Sequence, residues 1–358
     1  MSASSVSSQA AVPSPAERLA GRTLSGGWKV LELLSSSPNS TGGRFSKGYL
    51  VESKDGVKAF LKALDYSEAL RGPDPARALQ ALTTAYNFER DILEHCKDRR
   101  LTRIVTAITN GKIEVDDLAG LGLVEYLIFE LAEGDARTRM DAVARFDVAW
   151  RLRALHNIAT GLRQLHGEGI AHQDLKPSNV LVFHNKSSKL ADLGRSVVKN
   201  KPSPFEGLEI AGDLSYAPPE LLYHHISSDW SRRRLGCDAY LLGSMVVFFF
   251  TGLSMTSLWM SELHPAHCPQ SWSGSFGEIM PYLRDAFGRA VDRFKDHVVE
   301  GLRNSLVEVT RELCEPDPTH RGHPRDRSGI GNQYSLERYI SRFELLAKKA
   351  EYGWFKEI

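Results

Sequence analysis

The stretch that decides the fold of this chain is Gly169-Ile-Ala-His-Gln-Asp-Leu-Lys-Pro-Ser-Asn-Val-Leu-Val-Phe183. It contains Asp174, then Lys176 two positions later and Asn179 five positions later. Transfer of a phosphoryl group from a nucleotide needs these three residue types close together. A carboxylate orients the acceptor hydroxyl and takes its proton, a cation neutralises phosphate charge, and a carboxamide oxygen holds a metal ion. The stretch therefore indicates phosphoryl-transfer chemistry.

A second motif, Ala191-Asp-Leu-Gly194, follows the first and supplies another carboxylate, Asp192, close to a flexible glycine. Taken alone, a His-x-Asp or an Asp-Leu-Gly triplet is usually an ordinary turn or loop. Their joint occurrence at these offsets is hard to obtain by chance. Together the two motifs resemble the catalytic loop and the Asp-Phe-Gly motif of the protein kinase family, with Leu193 in place of the usual phenylalanine.

The composition is that of an ordinary globular protein. The chain has 358 residues, of which 42% are hydrophobic and 25% are charged, enough to form a substantial core. The formal net charge of +1 creates no global field that would attract nucleic acid or an anionic membrane, and we expect neither as a partner. The four cysteines are scattered, without the spacing of a zinc site or a disulfide framework, which favours a cytoplasmic location.

Three regions are expected along the chain. Residues 1–24 are rich in Ser, Ala and Pro and lack the order of a secretory signal, so we predict a disordered tail there. We predict a small, strand-rich N-terminal lobe over residues 25–132 and a larger, helical C-terminal lobe over residues 133–358. This α+β, bilobal organisation is similar to that of protein kinases, in which the nucleotide binds in the cleft between the lobes.

Periodicity predicts the main elements of the N-terminal lobe. We expect strands over residues 28–34 and 124–131, and a helix over residues 76–96. Asp55-Gly56 and Asn110-Gly111 are each typical of the two-residue turn of a β-hairpin, since both positions of such a turn tolerate positive φ.

Helical patterns dominate the C-terminal lobe. A helix with one buried face is predicted directly before the catalytic loop, and a last helix over residues 336–349. The most apolar run, residues 240–253, is too short to cross a bilayer and is expected to be a buried core helix. The buried face of the helix before the catalytic loop consists of Leu152, Leu155, Ala159, Leu162 and Leu165.

A lysine and a glutamate of the N-terminal lobe are candidates for holding nucleotide phosphates. In the predicted strand that contains Lys58 and Lys62, alternation places both lysines on one face and leaves the choice between them open. The resemblance to the Ala-x-x-Lys pattern of kinases implies Lys62. In the helix over residues 76–96, Glu89 lies on an otherwise apolar stripe, so its burial requires a cation. Lys62 is the expected partner, as in the Lys–Glu pair of active kinases.

The segment Ser40-Thr-Gly-Gly-Arg-Phe45 resembles the glycine-rich loop of kinases, which covers the nucleotide phosphates. The resemblance implies that the backbone approaches phosphate at Gly42 and Gly43, because glycine has no side chain to prevent it. An ordinary hairpin loop is an equally good interpretation of these residues by themselves.

The strand end Phe129-Glu-Leu-Ala132 is similar to the hinge between kinase lobes, where main-chain groups contact adenine. The resemblance implies that Glu130 and Ala132 supply these contacts. It also implies that Phe129 is the gatekeeper residue, which narrows the pocket behind the adenine.

Two distant segments favour a protein as the acceptor. Gly212-Asp-Leu-Ser-Tyr-Ala-Pro-Pro-Glu220 resembles the segment that docks the acceptor peptide, and Pro316-Asp-Pro-Thr-His-Arg321 resembles the loop whose arginine pairs with its glutamate. Lys176 is typical of Ser/Thr rather than Tyr kinases. Asp213 departs from this pattern, since a threonine is usual there, and it leaves the acceptor preference open. Asp238 matches the aspartate that braces the catalytic-loop backbone.

The residue before Asp174 also departs from a frequent family pattern. Many kinases have an arginine there, which receives a phosphate on the activation loop. Gln173 is neutral and cannot bind a phosphate in that way. We therefore expect that activity needs no phosphorylation of the activation loop, and that alanine at Ser196, Ser203 and Ser215 leaves the protein active.

The resemblance implies a Ser/Thr protein kinase that uses ATP and Mg²⁺ and also phosphorylates itself, similar to some stand-alone bacterial kinases. Two other functions stay open: a pseudokinase scaffold and a small-molecule phosphotransferase. The sequence does not identify the substrate protein or the oligomeric state. The residues with an implied catalytic or metal-binding role are Asp174, Lys176, Lys62, Glu89, Asn179 and Asp192.

Overall fold

A computed structural model describes residues 13–34, 45–116, 122–142, 147–329 and 331–354. The chain divides into an N-terminal unit, Met1–Arg90 with Ala107–Leu131, and a C-terminal unit, Asp91–Thr106 with Ala132–Ile358. The first unit is rich in strands and the second in helices, so the predicted α+β fold class is confirmed.

The N-terminal unit contains a five-stranded antiparallel sheet, in the spatial order β1-β2-β3-β5-β4. Its strands are β1 (Lys29–Leu33), β2 (Ser46–Glu52), β3 (Lys58–Leu64), β4 (Ala107–Glu114) and β5 (Leu123–Glu130). Two helices follow β3 in the chain: α1 (Ser67–Arg71) and α2 (Pro75–Asp98). The predicted hairpin at Asp55-Gly56 joins β2 to β3, and Gly56 has the expected positive φ of 77°. Its turn is longer than the predicted two residues, because the N–H of Ser53 donates to the carbonyl oxygen of Val57 at 2.9 Å and three residues lie between them.

The hairpin predicted at Asn110-Gly111 is wrong. Both residues lie inside β4, where they face Leu127 and Tyr126 of β5. A Cβ atom at Gly111 would lie 2.5 Å from the hydroxyl oxygen of Tyr126. The glycine is therefore needed because a buried aromatic ring passes close to the strand, not because the chain turns.

The predicted tail needs a correction over its second half. Ala16, Leu19 and Leu24 are buried in the same hydrophobic core as the sheet. The hydroxyl of Tyr49 in β2 donates a 2.6 Å hydrogen bond to the carbonyl oxygen of Ala16. Residues 13–24 are thus part of the folded unit, while residues 1–12 lie outside the described residues.

The segment 91–106 was expected in the N-terminal lobe, but it belongs to the C-terminal unit. Its last residues form main-chain hydrogen bonds with that unit, since the N–H of Val105 donates to the carbonyl oxygen of Leu190 at 2.8 Å. In return, the N–H of Leu190 donates to the carbonyl oxygen of Arg103 at 2.9 Å. This pairing, which joins residues far apart in sequence, gives no local signal in the sequence.

Nine α-helices follow one another in the described part of the C-terminal unit: α3 (Ala136–Ala142), α4 (Val148–Gly167), α5 (Pro219–Leu222), α6 (Gly236–Thr251), α7 (Met255–Glu262), α8 (Phe276–Asp296), α9 (Glu300–Leu313), α10 (Pro324–Arg327) and α11 (Glu337–Glu351). The carboxylate of Asp147 caps α4 by accepting from the N–H of Trp150 at 2.8 Å. Helix α4 packs against α11 and leads directly to the catalytic-loop residues.

Helix α6 is the core helix predicted from its apolar composition. Together with the preceding turn it forms Ser231–Thr251, which is long and apolar enough to span a membrane by length and composition. However, 94% of its most apolar 18-residue stretch is buried inside the protein, as in the core helix of a globular domain.

Short strands position the residues of the catalytic loop. They are β6 (Gly134–Asp135), β7 (Ile170–Ala171), β8 (Val180–Val182), β9 (Ser188–Leu190) and β10 (Val197–Val198), which pair as β6-β8-β9 and as β7-β10. The catalytic loop, residues 172–179, connects β7 to β8. Because β8 and β9 are antiparallel neighbours, the start of β8 and the end of β9 lie side by side. Asn179 and Asp192 flank this pair of strands.

Candidate active site

The backbone of the catalytic loop is held by a buried carboxylate from α6. Asp238 accepts hydrogen bonds from the N–H groups of His172 and Gln173, each at 2.8 Å, and from Nε2 of His166 at 2.9 Å. Burial acts to raise the pKa of Asp238, but these hydrogen bonds and the nearby histidines outweigh it and lower the pKa below the usual value. The predicted contact of Asp238 with the loop backbone is therefore present.

Asp174 lies in the loop with three donors around its carboxylate. Oδ2 accepts from Nδ2 of Asn179 at 3.1 Å and lies 3.2 Å from Nζ of Lys176, while Oδ1 accepts from the N–H of Asp213 at 3.0 Å. Burial raises the pKa of Asp174; the Lys176 ammonium opposes this rise and the Asp192 carboxylate adds to it. A buried carboxylate with a raised pKa and fixed orientation is well suited to accept a proton.

Asp213, which stands where a threonine is usual in the family, has nearby donors for its carboxylate. One carboxylate oxygen of Asp213 accepts from the N–H of Ser215 at 3.0 Å and from its hydroxyl at 2.7 Å. The other oxygen lies 3.8 Å from Nζ of Lys176, which therefore sits between two carboxylates. The extra negative charge expected near Asp174 is compensated by Lys176 and by the Ser215 donors.

Asn179 and Asp192 are the candidate metal ligands. The amide nitrogen of Asn179 donates to the carbonyl oxygen of Asp174 at 2.8 Å as well as to its carboxylate, which leaves Oδ1 as its ligating atom. The N–H of Ala191 donates to the carbonyl oxygen of Asn179 at 2.9 Å, so the two ligand-bearing segments are joined. Within the described part of the chain, no cluster of three or more His, Cys, Asp or Glu residues could hold a metal ion by itself. One carboxamide and one carboxylate fit Mg²⁺, which usually completes its shell with water and nucleotide phosphates.

In the N-terminal unit, Lys62 of β3 and Glu89 of α2 form a bidentate ion pair. Nζ of Lys62 lies 2.8 Å from Oε1 and 2.9 Å from Oε2 of Glu89. The other candidate lysine, Lys58, is exposed. Glu94, on the same helix, is also exposed, as its position off the apolar stripe predicts. Helical periodicity therefore selected the glutamate that pairs with Lys62.

Comparison with known proteins places these residues in a family. The family described as "Protein kinase domain" matches residues 43–324 of this chain. The chain belongs to the protein kinase family. The match includes both the Lys62–Glu89 pair and the residues around Asp174.

Several curated kinases are similar to parts of the chain. An Aurora kinase from Debaryomyces hansenii is 34% identical over 123 residues, which are 33% of this chain and 30% of the relative. Hormonally up-regulated neu tumor-associated kinase from Mus musculus is 26% identical over 225 residues, 61% of this chain and 27% of the relative. Serine/threonine-protein kinase H1 from Homo sapiens is 29% identical over 204 residues, 54% of this chain and 46% of the relative. The aligned part spans less than half the length of each of these three relatives.

The kinase also contains the predicted pairing between the segment that ends at Glu220 and the distant loop that contains Arg321. Arg321 donates from Nη1 and Nη2 to the two carboxylate oxygens of Glu220 at 2.7 and 2.8 Å, and its side chain is fully buried. Burial acts to lower the pKa of Arg321, but the ion pair with Glu220 outweighs it and raises the pKa. Loss of either partner would destabilise the protein, because the other charge would then be buried without compensation.

The other residues predicted to contact the nucleotide lie at Gly42-Gly43 and near the end of β5. Gly42 and Gly43 lie outside the described residues. Glu130 is the last residue of β5, and Ala132 is the first residue of the C-terminal unit in that part of the chain. Phe129 is buried and its ring centroid lies 6.5 Å from that of Phe60. The adenine-contacting and gatekeeper roles stay predictions.

Sequence reasoning missed two residues of the site. His166 donates to Asp238, and Arg234 donates from Nη1 to the side-chain oxygen of Gln173 at 3.1 Å. Arg234 belongs to a run of three arginines directly before an apolar helix, which gives no signal of burial. Composition alone favours a solvated basic turn there, yet Arg234 is only 2% exposed.

Proposed function

We propose that this kinase transfers the γ-phosphoryl group of ATP, with Mg²⁺, to serine and threonine hydroxyls of proteins, including its own. The observation that supports this most strongly is the buried Asp174 carboxylate, held in one orientation by Lys176, Asn179 and the N–H of Asp213. A base, a cation and a metal ligand thus converge on one point. A cytoplasmic location is part of the proposal, since all four cysteines are free thiols.

In the C-terminal unit, the chemistry is divided among four side chains. Bound Mg²⁺–ATP supplies the transferable phosphoryl group and part of the positive charge that its transfer requires. Asp174 would orient the acceptor hydroxyl and take its proton as the new O–P bond forms and the bond from the γ-phosphorus to the bridging oxygen breaks, which releases ADP. Lys176 neutralises negative charge on the phosphoryl oxygens, next to Asp174. Asn179 and Asp192 would hold the metal through their side-chain oxygens.

In the N-terminal unit, Lys62 binds the α- and β-phosphates. Its ammonium is a flexible point charge, and both carboxylate oxygens of Glu89 restrain it. The pair therefore orders the lysine before the nucleotide arrives, which reduces the entropic cost of binding.

A protein acceptor is favoured by the Glu220–Arg321 pair. It anchors Ala217-Pro-Pro-Glu220, the segment that resembles the peptide-docking segment of kinases, to the loop that contains Arg321. A small-molecule phosphotransferase would have no need for this segment. A pseudokinase is disfavoured because the catalytic residue types are all present and their side chains are paired as catalysis requires.

The proposal is tested by transfer of labelled γ-phosphate from Mg-ATP to the kinase itself and to casein. Four proteins are compared: the wild type, Asp174→Asn, Asp192→Asn, and Asp296→Asn as a control at an exposed carboxylate of the same unit. We expect label on Ser and Thr with the wild type and the control. Asp174→Asn should lower turnover roughly 10²–10⁴-fold, the usual loss for a positioned general base.

Two results would contradict the proposal. Absence of transfer to protein by the wild type, with ATP bound, would indicate a pseudokinase or a small-molecule acceptor. Full activity of Asp174→Asn or Asp192→Asn would mean that the base or the metal ligand has been assigned to the wrong residue.

A further inference from the structure

A buried chain of hydrogen bonds connects α6 to the activation segment, defined here as residues 192–220. Its first link is the side chain of Gln173. Nε2 of Gln173 donates to Oδ1 of Asp238 and to the carbonyl oxygen of Arg234, both at 3.0 Å. Its Oε1 accepts from Nη1 of Arg234 at 3.1 Å. The neutral amide is thus polarised between a carboxylate and a guanidinium, which strengthens its hydrogen bonds to these two groups.

The second link is formed by two arginines that reach the main chain of the activation segment. Nη2 of Arg234 donates to the carbonyl oxygen of Glu206 at 2.8 Å. Nη2 of Arg233 donates to the carbonyl oxygen of Leu208 at 3.0 Å. Because the acceptors are peptide groups, these contacts need neither a phosphate nor a particular side chain at Glu206 or Leu208.

Burial makes this arrangement costly unless every contact is formed. Arg234 is 2% exposed and Gln173 is 4% exposed. A guanidinium taken out of water requires hydrogen-bond acceptors in place of its hydration shell, and the side chain of Gln173 and the main chain of Glu206 supply them. If the activation segment moved away, Nη2 of Arg234 would lose the carbonyl oxygen of Glu206, so the segment and the arginine stabilise each other.

In the same conformation, one nearby serine is buried and another accepts a hydrogen bond, both without modification. Ser196 is fully buried. The hydroxyl of Ser203 accepts a 3.1 Å hydrogen bond from the N–H of Val198, which closes the start of the loop. A phosphate would disrupt the burial of Ser196 or the hydrogen bond to Ser203. It would not help to form the contacts of Arg233 and Arg234 with the main chain of the activation segment, which are called the tether below.

We propose that Gln173, Arg233 and Arg234 are positioning residues that hold the activation segment in place without phosphorylation. The arginines reach main-chain carbonyls from the turn before α6, and Gln173 connects them to the aspartate that braces the catalytic loop. The effect on phosphoryl transfer rests on the proposed function, whereas the tether itself can be measured without any transfer reaction.

The test uses the full chain after phosphatase treatment. Arg234→Met removes the guanidinium and keeps an unbranched apolar stem. Arg233→Ala removes the partner of Leu208 at a less buried position and serves as a second variant if the first does not fold. Arg232→Met is the matched control, since the Arg232 side chain lies beside Tyr334.

Hydrogen–deuterium exchange of amides in residues 203–212 is the first measurement. We expect exchange at least about tenfold faster in Arg234→Met, a smaller acceleration in Arg233→Ala, and wild-type rates in Arg232→Met. The second measurement is kinetic. We expect the KM for casein to rise about tenfold in Arg234→Met, with the KM for ATP little changed, because the segment docks the acceptor peptide.

Unchanged exchange in folded Arg234→Met or Arg233→Ala would overturn the proposal, as would loss of wild-type activity on phosphatase treatment. If the wild type transferred no phosphate to casein or to itself, the proposed function would fail. The exchange measurement would still decide whether the tether exists.

Discussion

The N–H of Asp213 donates a 3.0 Å hydrogen bond to Oδ1 of Asp174, a residue 39 positions earlier in the chain. This contact requires the backbone of the activation segment to pass directly against the catalytic loop. A Cβ atom on Gly212 would lie 2.4 Å from the carbonyl oxygen of Gln173 and 2.8 Å from Oδ1 of Asp174. Glycine is therefore needed at position 212 because of close approach and not because of its backbone angles.

Replacing Gly212 by alanine should impair catalysis while every catalytic side chain remains. The added methyl group would push the segment away from Asp174, and a displacement of about 1 Å near reacting groups can cost roughly 100-fold in rate. We expect kcat/KM for a protein acceptor to fall on that scale. Gly207→Ala is the control, since a Cβ at that exposed position meets nothing within 4 Å. Equal kinetics for the two variants would show that the close approach is unimportant.

The pH dependence of transfer should report the raised pKa of Asp174. The base must be ionised, so kcat/KM should rise with pH through that pKa, at a pH above the ordinary range of aspartate. Lys176 lowers the pKa of Asp174 by its positive charge. Residual activity of Lys176→Gln should therefore require an even higher pH. If the rise of kcat/KM with pH occurred at the same pH in Lys176→Gln as in the wild type, or at a lower pH, Lys176 would not stabilise the ionised form of Asp174.

Removal of the Asp238 charge should destabilise the kinase in a pH-dependent way. The folded-state pKa of Asp238 is lowered, so its contribution to stability is complete above the unfolded value near 3.8 and is lost as pH falls through the folded value. Asp238→Asn should reduce the free energy of unfolding by roughly 3–5 kcal/mol at neutral pH, the usual cost of breaking a buried charge network.

Urea unfolding at several pH values measures this effect, with Asp296→Asn as the exposed control. The difference between Asp238→Asn and the wild type should narrow as the pH falls below about 4. A difference that is constant with pH would mean that the loss comes from packing and not from the charge.

The Lys62–Glu89 pair predicts an effect on nucleotide binding. Glu89→Gln keeps the size of the side chain but removes the charge that holds the ammonium of Lys62. A charge-assisted hydrogen bond contributes roughly 1.5–3 kcal/mol, so kcat/KM for ATP should fall about 10–100-fold. Glu94→Gln makes the same chemical change at an exposed position of the same helix and should have little effect. If both variants behaved alike, the ion pair would have no role in binding phosphate.

Leu19→Ala tests whether the segment over residues 13–24 belongs to the folded unit. Leu19 is fully buried, so the variant should lose roughly 2–5 kcal/mol of unfolding free energy. Leu33 is 45% exposed, and Leu33→Ala should change stability by only about 0.5 kcal/mol. Chemical denaturation of both variants measures the difference. Similar stabilities would mean that Leu19 does not pack into the core in solution.

Features with a local period or a local motif were predictable. The hairpin at Asp55-Gly56 depends on the conformations that a few adjacent residues allow, and it is present, with a turn one residue longer than predicted. Glu89 was selected by the spacing of α2, because a charged residue on an apolar stripe needs a buried partner. The spacing of Asp174, Lys176 and Asn179 likewise placed the three side chains within one short loop. In each case the physical constraint acts over a few residues, so the sequence contains it completely.

Features that depend on distant neighbours were decided by the tertiary structure. Gly111 looks like a turn residue, but the ring of Tyr126 on the adjacent strand explains it. The composition of residues 13–24 favours disorder, yet the sheet provides a surface that buries Leu19. Arg234 has no local signal of burial, because its acceptors belong to residues 61 positions and 28 positions away. The sequence determined the fold class and which residue types meet in the catalytic loop. Only the packing decided which backbone groups surround them, because hydrogen bonds between distant segments leave no periodic trace in the chain.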